Sequence, residues 1–256
     1  QQLLDQRRAA WSDVARRIAH EIKNPLTPIQ LAAERLQRRF GAAAGPDSGV
    51  FSKLTGTIVR QVGDLRRMVD EFSSFARMPK PVFREESIVD ICRQAIFLHE
   101  VAHPEIAFSQ DAEADLPPLV CDRRQLGQAL TNVVKNAVEA VEQKHGEGEE
   151  GGIVKLSVAQ KNGRIVVDVE DNGVGLPAER ERLTEPYMTT RESGTGLGLA
   201  IVKKIVEEHF GTIAFSDRAG GGTRVRVTLD VEALAPLQDM APGGPEEGDR
   251  LFQLTR

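Results

Sequence analysis

The sequence predicts an α+β protein in two parts, a helical hairpin that needs a second copy to complete a four-helix bundle and, after it, helices packed on one face of a mixed sheet. Three observations predict this. Apolar residues recur every three or four positions up to residue 76, whereas after residue 150 they alternate in short runs. Met78-Pro79-Lys80-Pro81 lies between the two regimes, and each proline removes a backbone donor and pushes its predecessor out of helical geometry. The charge also changes sign: residues 1–81 carry 14 Lys+Arg against 8 Asp+Glu, and the remainder 19 against 30.

Taken in order, Ala15, Ile18, Ile22, Leu26, Ile29, Ala33, Leu36 and Phe40 draw an apolar stripe on a first long helix. Gly41 to Gly49, with Pro46-Asp47-Ser48 inside, reads as a turn. Leu54, Ile58, Val62, Leu65, Val69, Phe72 and Phe75 or Ala76 repeat the stripe on a second helix. Two such helices leave apolar surface uncovered, so a homodimer is expected. In the second part, 87–100 and 122–143 have helical periodicity, while 153–158, 164–170 and 223–229 alternate as strands do. Residues 199–210 are helical again, closed by Gly211 at a left-handed cap. The domains read as 1–78, a linker at 79–81, 82–232, and a tail from 233 to 256 in which Pro236, Pro242 and Pro245 predict disorder.

The 256 residues are 40% hydrophobic and 28% charged, ordinary globular values that argue against disorder throughout. Aromatics make up only 5%, so the core must be aliphatic. No apolar run approaches the roughly 18 residues that a bilayer crossing needs, and no signal peptide is evident. Membrane contact by this segment is therefore not expected, nor is a nucleic-acid partner. Cys92 and Cys121 lie far apart without metal-ligand spacing, which suits a reducing cytoplasm. The chain begins with Gln rather than Met and reads as a segment of a longer protein.

The first chemistry-bearing run is His20-Glu21-Ile22-Lys23-Asn24-Pro25-Leu26-Thr27-Pro28, inside the first helix. An interior proline costs roughly 3 kcal/mol, and two of them just after a histidine suggest a use beyond packing. His20 falls off the apolar stripe and should face solvent. A neutral imidazole is nucleophilic at one ring nitrogen when the other donates to a carboxylate, and Glu21 is adjacent. Asn24, one turn on, shares the face of His20.

On the helix at 122–143, Asn132 and Asn136 are one turn apart with Lys135 between, an arrangement suited to phosphates and a hard cation such as Mg²⁺. Three glycine clusters follow: Asp171-Asn172-Gly173-Val174-Gly175, Gly194-Thr195-Gly196-Leu197-Gly198, and Gly220-Gly221-Gly222-Thr223. Asp171 ends a strand, where its carboxylate can accept from an exocyclic amine such as adenine's. The second cluster runs into a helix and offers bare backbone donors to phosphate. Between the first two clusters, Glu185 to Arg191 reads as a lid. Neither GxxxxGK[ST] nor GxGxxG occurs.

In this order and spacing the motifs closely resemble the sensor histidine kinases of two-component signalling, from about Ser12 to Leu229. His20 to Pro28 is similar to the phosphoacceptor box of their dimerisation and histidine-phosphotransfer domain. Asn132 to Ala140, Asp171 to Leu176, Leu183 to Arg191 and Gly194 to Leu199 resemble the N, first glycine, F and second glycine boxes of their catalytic domain, an α/β sandwich of the histidine kinase, gyrase and Hsp90 type. HEIKNPLTPIQLAAERL and EPYMTTRESGTGLGLAIVKKIVEEH are especially similar to the NtrY-like nitrogen-regulation sensor kinases. Leu183 and Tyr187 depart from the Phe common in the F box.

The resemblance implies roles. His20 is phosphorylated with Glu21 orienting it, and Asn24 positions water for dephosphorylating a response-regulator receiver domain. Asn136 binds Mg²⁺, Asn132 and Lys135 contact the phosphates of ATP, and Asp171 reads adenine with Gly173, Gly175 and Thr223 nearby. Gly194, Gly196 and Gly198 form the lid hinge, and Arg191 assists from the lid. It also implies that the intact protein is membrane-anchored. The rival readings are an ATPase of the gyrase, Hsp90 and MutL type, and a kinase-inactive phosphatase or scaffold. Those ATPases carry a water-activating Glu one turn before the metal-binding Asn, where this chain has Asn132.

Overall fold

The computed structural model describes residues 2–185 and 196–240, with side chains from Ala15 to Gln238 within that span. The chain divides into two compact units, one holding the residues up to Pro79 and the other Lys80–Arg182 with the chain from Gly198.

The first unit is a hairpin of α1 (Gln2–Phe40) and α2 (Ser48–Ala76), joined through a 3₁₀ turn at Gly45–Asp47. α1 runs as one helix through both Pro25 and Pro28. The seam between the helices is built mostly from small residues: Ala15, Ala19 and Ala33 with Leu26 from α1, and Thr55, Val62, Val69 and Ser73 from α2. A spacing of four and seven along each helix keeps these residues on one side, so the backbones approach closely. The larger members of the predicted stripe, Ile18, Ile22, Ile29, Leu36, Leu54, Ile58 and Leu65, stand on a neighbouring face and are exposed.

The second unit is a five-stranded sheet in the order β2-β4-β5-β7-β6 with helices against it. The strands are β2 (Ala107–Ala112), β4 (Ile153–Lys161), β5 (Arg164–Asp171), β6 (Thr212–Asp217) and β7 (Thr223–Asp230); β2 runs parallel to β4 and the other pairs are antiparallel. A short antiparallel ribbon pairs β1 (Arg84–Glu86) with β3 (Leu119–Cys121). The helices are α3 (Ile88–Ala102), α4 (Arg123–His145) and α5 (Gly198–Glu208), followed by a short α6 (Val231–Leu234). Leu126, Leu130, Val134, Leu156, Ile165, Ile205 and Leu229 fill the layer between helices and sheet. Ser87 caps α3 and Asp122 caps α4 through side-chain oxygens that accept from Asp90 N and Gln125 N.

Two expectations are corrected. The left-handed residue that ends α5 is Phe210, at φ +54°, not Gly211. Phe210 N bonds to Glu207 O at 3.0 Å and Gly211 N to Val206 O at 2.9 Å, the paired bonds that satisfy a helix's last carbonyls. Gly211 is needed for close approach instead, since a Cβ there would stand 2.5 Å from the Thr228 carbonyl oxygen. The tail is also ordered as far as it is described: α6 is capped by Asp230, Leu234 is completely buried, and Ala235–Met240 make a 3₁₀ turn. One buried leucine and one cap hold what the prolines alone suggested was loose. Residues 241–256 lie outside the described part.

Candidate functional site

In the hairpin, the two prolines leave the carbonyls of Glu21 and Asn24 without their usual helical partners. His20, Glu21 and Asn24 are all exposed on this turn. α2 braces it, for Lys23 pairs with Asp70 and Arg66 donates to Thr27 Oγ1 at 2.7 Å. The imidazole is thus presented to solvent on a stretch of α1 that α2 ties down one and two turns further along.

In the sheet unit, the end of β5 and the last turns of α4 meet through a glycine. A Cβ on buried Gly173 would lie 2.4 Å from the carbonyl carbon of Ala140, and Val174 N bonds to Ala140 O at 3.1 Å. Asp171, almost fully buried, accepts from Gly173 N at 2.9 Å, which fixes its carboxylate at the mouth of the turn. Gly175 follows at φ +85°, a conformation that favours glycine. On the neighbouring strand Thr223 pairs with Asp171, and a Cβ on Gly222 would fall 1.8 Å from the Asp171 carbonyl oxygen. Only backbone fits there.

α4 supplies the amides. Asn132 and Asn136 are half-buried one turn apart, and Asn132 Nδ2 donates to Gly198 O at 3.4 Å, joining α4 to the start of α5. Lys135 is exposed and lies 3.9 Å from Glu139. Gly196, at φ +71°, turns the chain into α5. The structure therefore brings Asn132 to Gly198 at mid-α4, and Asp171, Gly173, Gly175 and Thr223 together beside Ala140 further along the same helix. Arg191, Gly194 and Tyr187 lie outside the described residues. The donor set fits a nucleotide with a hard cation: a fixed carboxylate, bare backbone, and two amides beside a lysine.

Residues that carried no role in the sequence reading support this site. Asn172 Oδ1 accepts from Ile153 N at 2.8 Å, Asn172 Nδ2 donates to Gly151 O at 2.8 Å, and Lys144 donates to the Asn172 carbonyl at 3.0 Å. Asp122, beyond capping α4, accepts from Val82 N at 2.9 Å, and its own N–H donates to His209 Nε2 at 3.0 Å. His209 Nδ1 donates to Ile205 O at 2.8 Å, so this ring is a neutral, fully buried spacer. Burial holds its pKa below the ordinary histidine value, against the opposing pull of the Ile205 carbonyl and Asp122. An Asn after the strand-ending Asp, and an Asp before a helix, were the available signals.

Two family models match the chain in the order of its two parts. Residues 10–81 match the His Kinase A (phospho-acceptor) domain, and residues 121–233 match the Histidine kinase-, DNA gyrase B-, and HSP90-like ATPase. Nitrogen regulation protein NtrY of Azorhizobium caulinodans is 55% identical over 229 residues, 89% of this chain and 30% of that protein. The chain belongs to the sensor histidine kinases. It is an NtrY-like catalytic portion, carrying their phospho-acceptor and ATPase domains. Sensory histidine kinase/phosphatase NtrB of Salmonella typhimurium is 32% identical over 232 residues, which is 86% of this chain and 62% of NtrB. The crystal structure of histidine kinase ThkA in complex with response regulator protein TrrA is similar at a TM-score of 0.62 and 26% identity, over 89% of this kinase segment and 64% of that chain. The segment thus spans about a third of NtrY's length. Among the described residues, no helix is long and apolar enough to cross a membrane.

Proposed function

We propose that this segment transfers a phosphoryl group from ATP to His20 and then to an aspartate of a response-regulator receiver domain, that it also removes phosphate from that regulator, and that it acts as a homodimer. In this reading residues 1–78 dimerise and carry the phosphoryl group, 82–232 bind ATP, and 79–81 let the two parts move so that the γ-phosphate can reach His20. One ring nitrogen of neutral His20 forms the N–P bond as the bond from phosphorus to the ADP oxygen breaks. The other keeps its proton against Glu21. Transfer of this kind asks mainly for alignment and charge neutralisation. Asn132, Lys135 and the backbone at Gly194, Gly196 and Gly198 hold phosphates, while Arg191 comes from the lid. Asp171 accepts from the adenine amine, with Gly173, Gly175 and Thr223 shaping its pocket. The Asn136 amide oxygen would hold Mg²⁺, and the ion would supply neutralising charge beside the nucleotide. Asn24 sets the water that hydrolyses the regulator's acyl phosphate. The dimer is supported by the exposed Ile and Leu face of the hairpin, and a cytoplasmic location by the two buried free cysteines.

The observation that carries this reading is the amide at Asn132. A water-activating hydrolase needs a carboxylate there, and this chain instead presents its own nucleophile, exposed, at His20. Incubation with ATP and Mg²⁺ is expected to give an acid-labile, alkali-stable phosphoprotein that His20→Gln abolishes. Free phosphate released without phosphoprotein would establish the ATPase instead.

A further inference from the structure

On the far stretch of α4 from the amides lies a second cluster that the nucleotide chemistry does not use. His103 closes α3, and Glu105 stands two residues on, in the turn that leads into β2. Ile106 N bonds to His103 O at 3.1 Å and the Ile106 side chain is buried, so this short turn has a fixed backbone. Glu142 reaches the same point from the end of α4. His103 Nδ1 is 3.3 Å from Glu105 Oε1 and 3.2 Å from Glu142 Oε1, and one donor atom from each of the three side chains lies within 4.8 Å of the others.

We propose that His103, Glu105 and Glu142 form a binding site for a divalent transition-metal ion of the zinc type. The spacing is that of a ligand set. Metal–donor bonds of about 2.0–2.1 Å in a tetrahedral site put neighbouring donors roughly 3.4 Å apart, and Nδ1 stands at that separation from both carboxylates. A proton on Nδ1 serves two acceptors poorly, because one N–H can point well at only one of them, whereas a metal bond to the lone pair leaves both carboxylates free to bind the same ion. Charge points the same way. Neutral imidazole with two carboxylates carries two negative charges, which a divalent ion cancels. Burial raises the pKa of Glu142, and Glu147, Glu105 and Glu139 raise it further against the pull of His103, so the carboxylates are crowded by their own kind. A nitrogen donor beside carboxylates selects a borderline metal over Mg²⁺, which prefers oxygen and keeps its waters. The three side chains are 17–25% exposed, enough to admit an ion and to leave a position for water or for an incoming ligand. His99 stacks on His103 at 6.5 Å between ring centroids. An ion here joins the α3–β2 turn to α4 two residues beyond Ala140, the residue against which the nucleotide-site glycine packs.

The test uses metal-stripped, nucleotide-free protein, so it reads the metal site independently of any kinase activity. Titration calorimetry with ZnCl₂ is expected to show one ion per chain that His103→Gln and Glu142→Gln each weaken by about tenfold or more, with His20→Gln binding as the wild type does. Far-UV circular dichroism checks that the variants are folded, and visible absorption of bound Co²⁺ reports the donor set directly; that band is expected to fade in both variants. Wild-type protein that takes up neither Zn²⁺ nor Co²⁺ at micromolar metal, or variants that bind as tightly as wild type with an unchanged Co²⁺ spectrum, would overturn the site.

Discussion

In the sheet unit Leu126, Leu130, Leu156, Ile165, Ile205 and Leu229 are shut away almost completely, whereas in the hairpin the buried positions are mostly Ala, Val, Thr and Ser. The hairpin's large aliphatics, from Ile18 and Ile22 to Leu54 and Leu65, remain 40–61% exposed. Both stretches are comparably patterned in sequence, yet one fills its core from within its own chain and the other uses small residues to bring two helices together and leaves the large ones outside. Burying one Leu or Ile is worth about 1.5–3 kcal/mol, so covering this face is what the proposed homodimer would gain. The comparison teaches that the sheet unit fills its core from its own chain, whereas the hairpin leaves an apolar face that the proposed second copy would cover.

The largest effect expected on this contrast comes from the self-contained core. Leu130→Ala should lower unfolding free energy by about 2–5 kcal/mol, measured by urea denaturation of the sheet unit's transition, with little change in subunit association. Next, Leu36→Glu or Leu54→Glu should raise the dissociation constant of the dimer by roughly 100-fold, followed by sedimentation equilibrium, while leaving the sheet unit's transition in place. A protein that stays equally dimeric with both changes would break the contrast. Asn24→Ala, exposed on the hairpin and remote from its buried seam, should spare phosphorylation of His20 and slow loss of phosphate from the receiver domain by about tenfold, measured with purified regulator. Smallest is the pH dependence. The folded-state pKa of His209 is depressed by burial, so the unfolded chain binds more protons below the ordinary histidine value of about 6.5. Stability is fully present above that value and falls as pH drops through the window below it. His99, lowered chiefly by burial and next by His103, adds the same sign. His209→Asn should therefore flatten, without abolishing, the stability difference between about pH 7.5 and 5.5, read from urea midpoints at the two pH values.

Much of the site was legible because its chemistry is local. The proline-flanked His20, the asparagines one turn apart on α4, the strand-ending Asp171 and the glycine clusters are each a property of a few consecutive residues, and spacing alone puts them on a helix face or a strand end. α3, α4, α5, β4, β5 and β7 announced themselves by periodicity for the same reason. β1, β2, β3 and β6 did not: they are short, and β2 and β6 alternate only between half-buried and exposed positions. Residue type alone makes Gly211 the left-handed cap, but Phe210 takes that conformation because the approach to Thr228 claims the glycine.

The sequence by itself determined the two-part organisation, through composition and period, and carried in its motifs the resemblance that points to the family and to the candidate residues for phosphoryl chemistry, since these survive any arrangement in space. Only the tertiary structure decided which apolar residues the hairpin leaves uncovered, which glycine lies over the carbonyl of Asp171, that Asp122 and His209 tie Val82 to α4 and α5, and that His103 and Glu105 meet Glu142. These facts join residues far apart in the chain, and such meetings are set by how helices and strands pack, which no local pattern encodes.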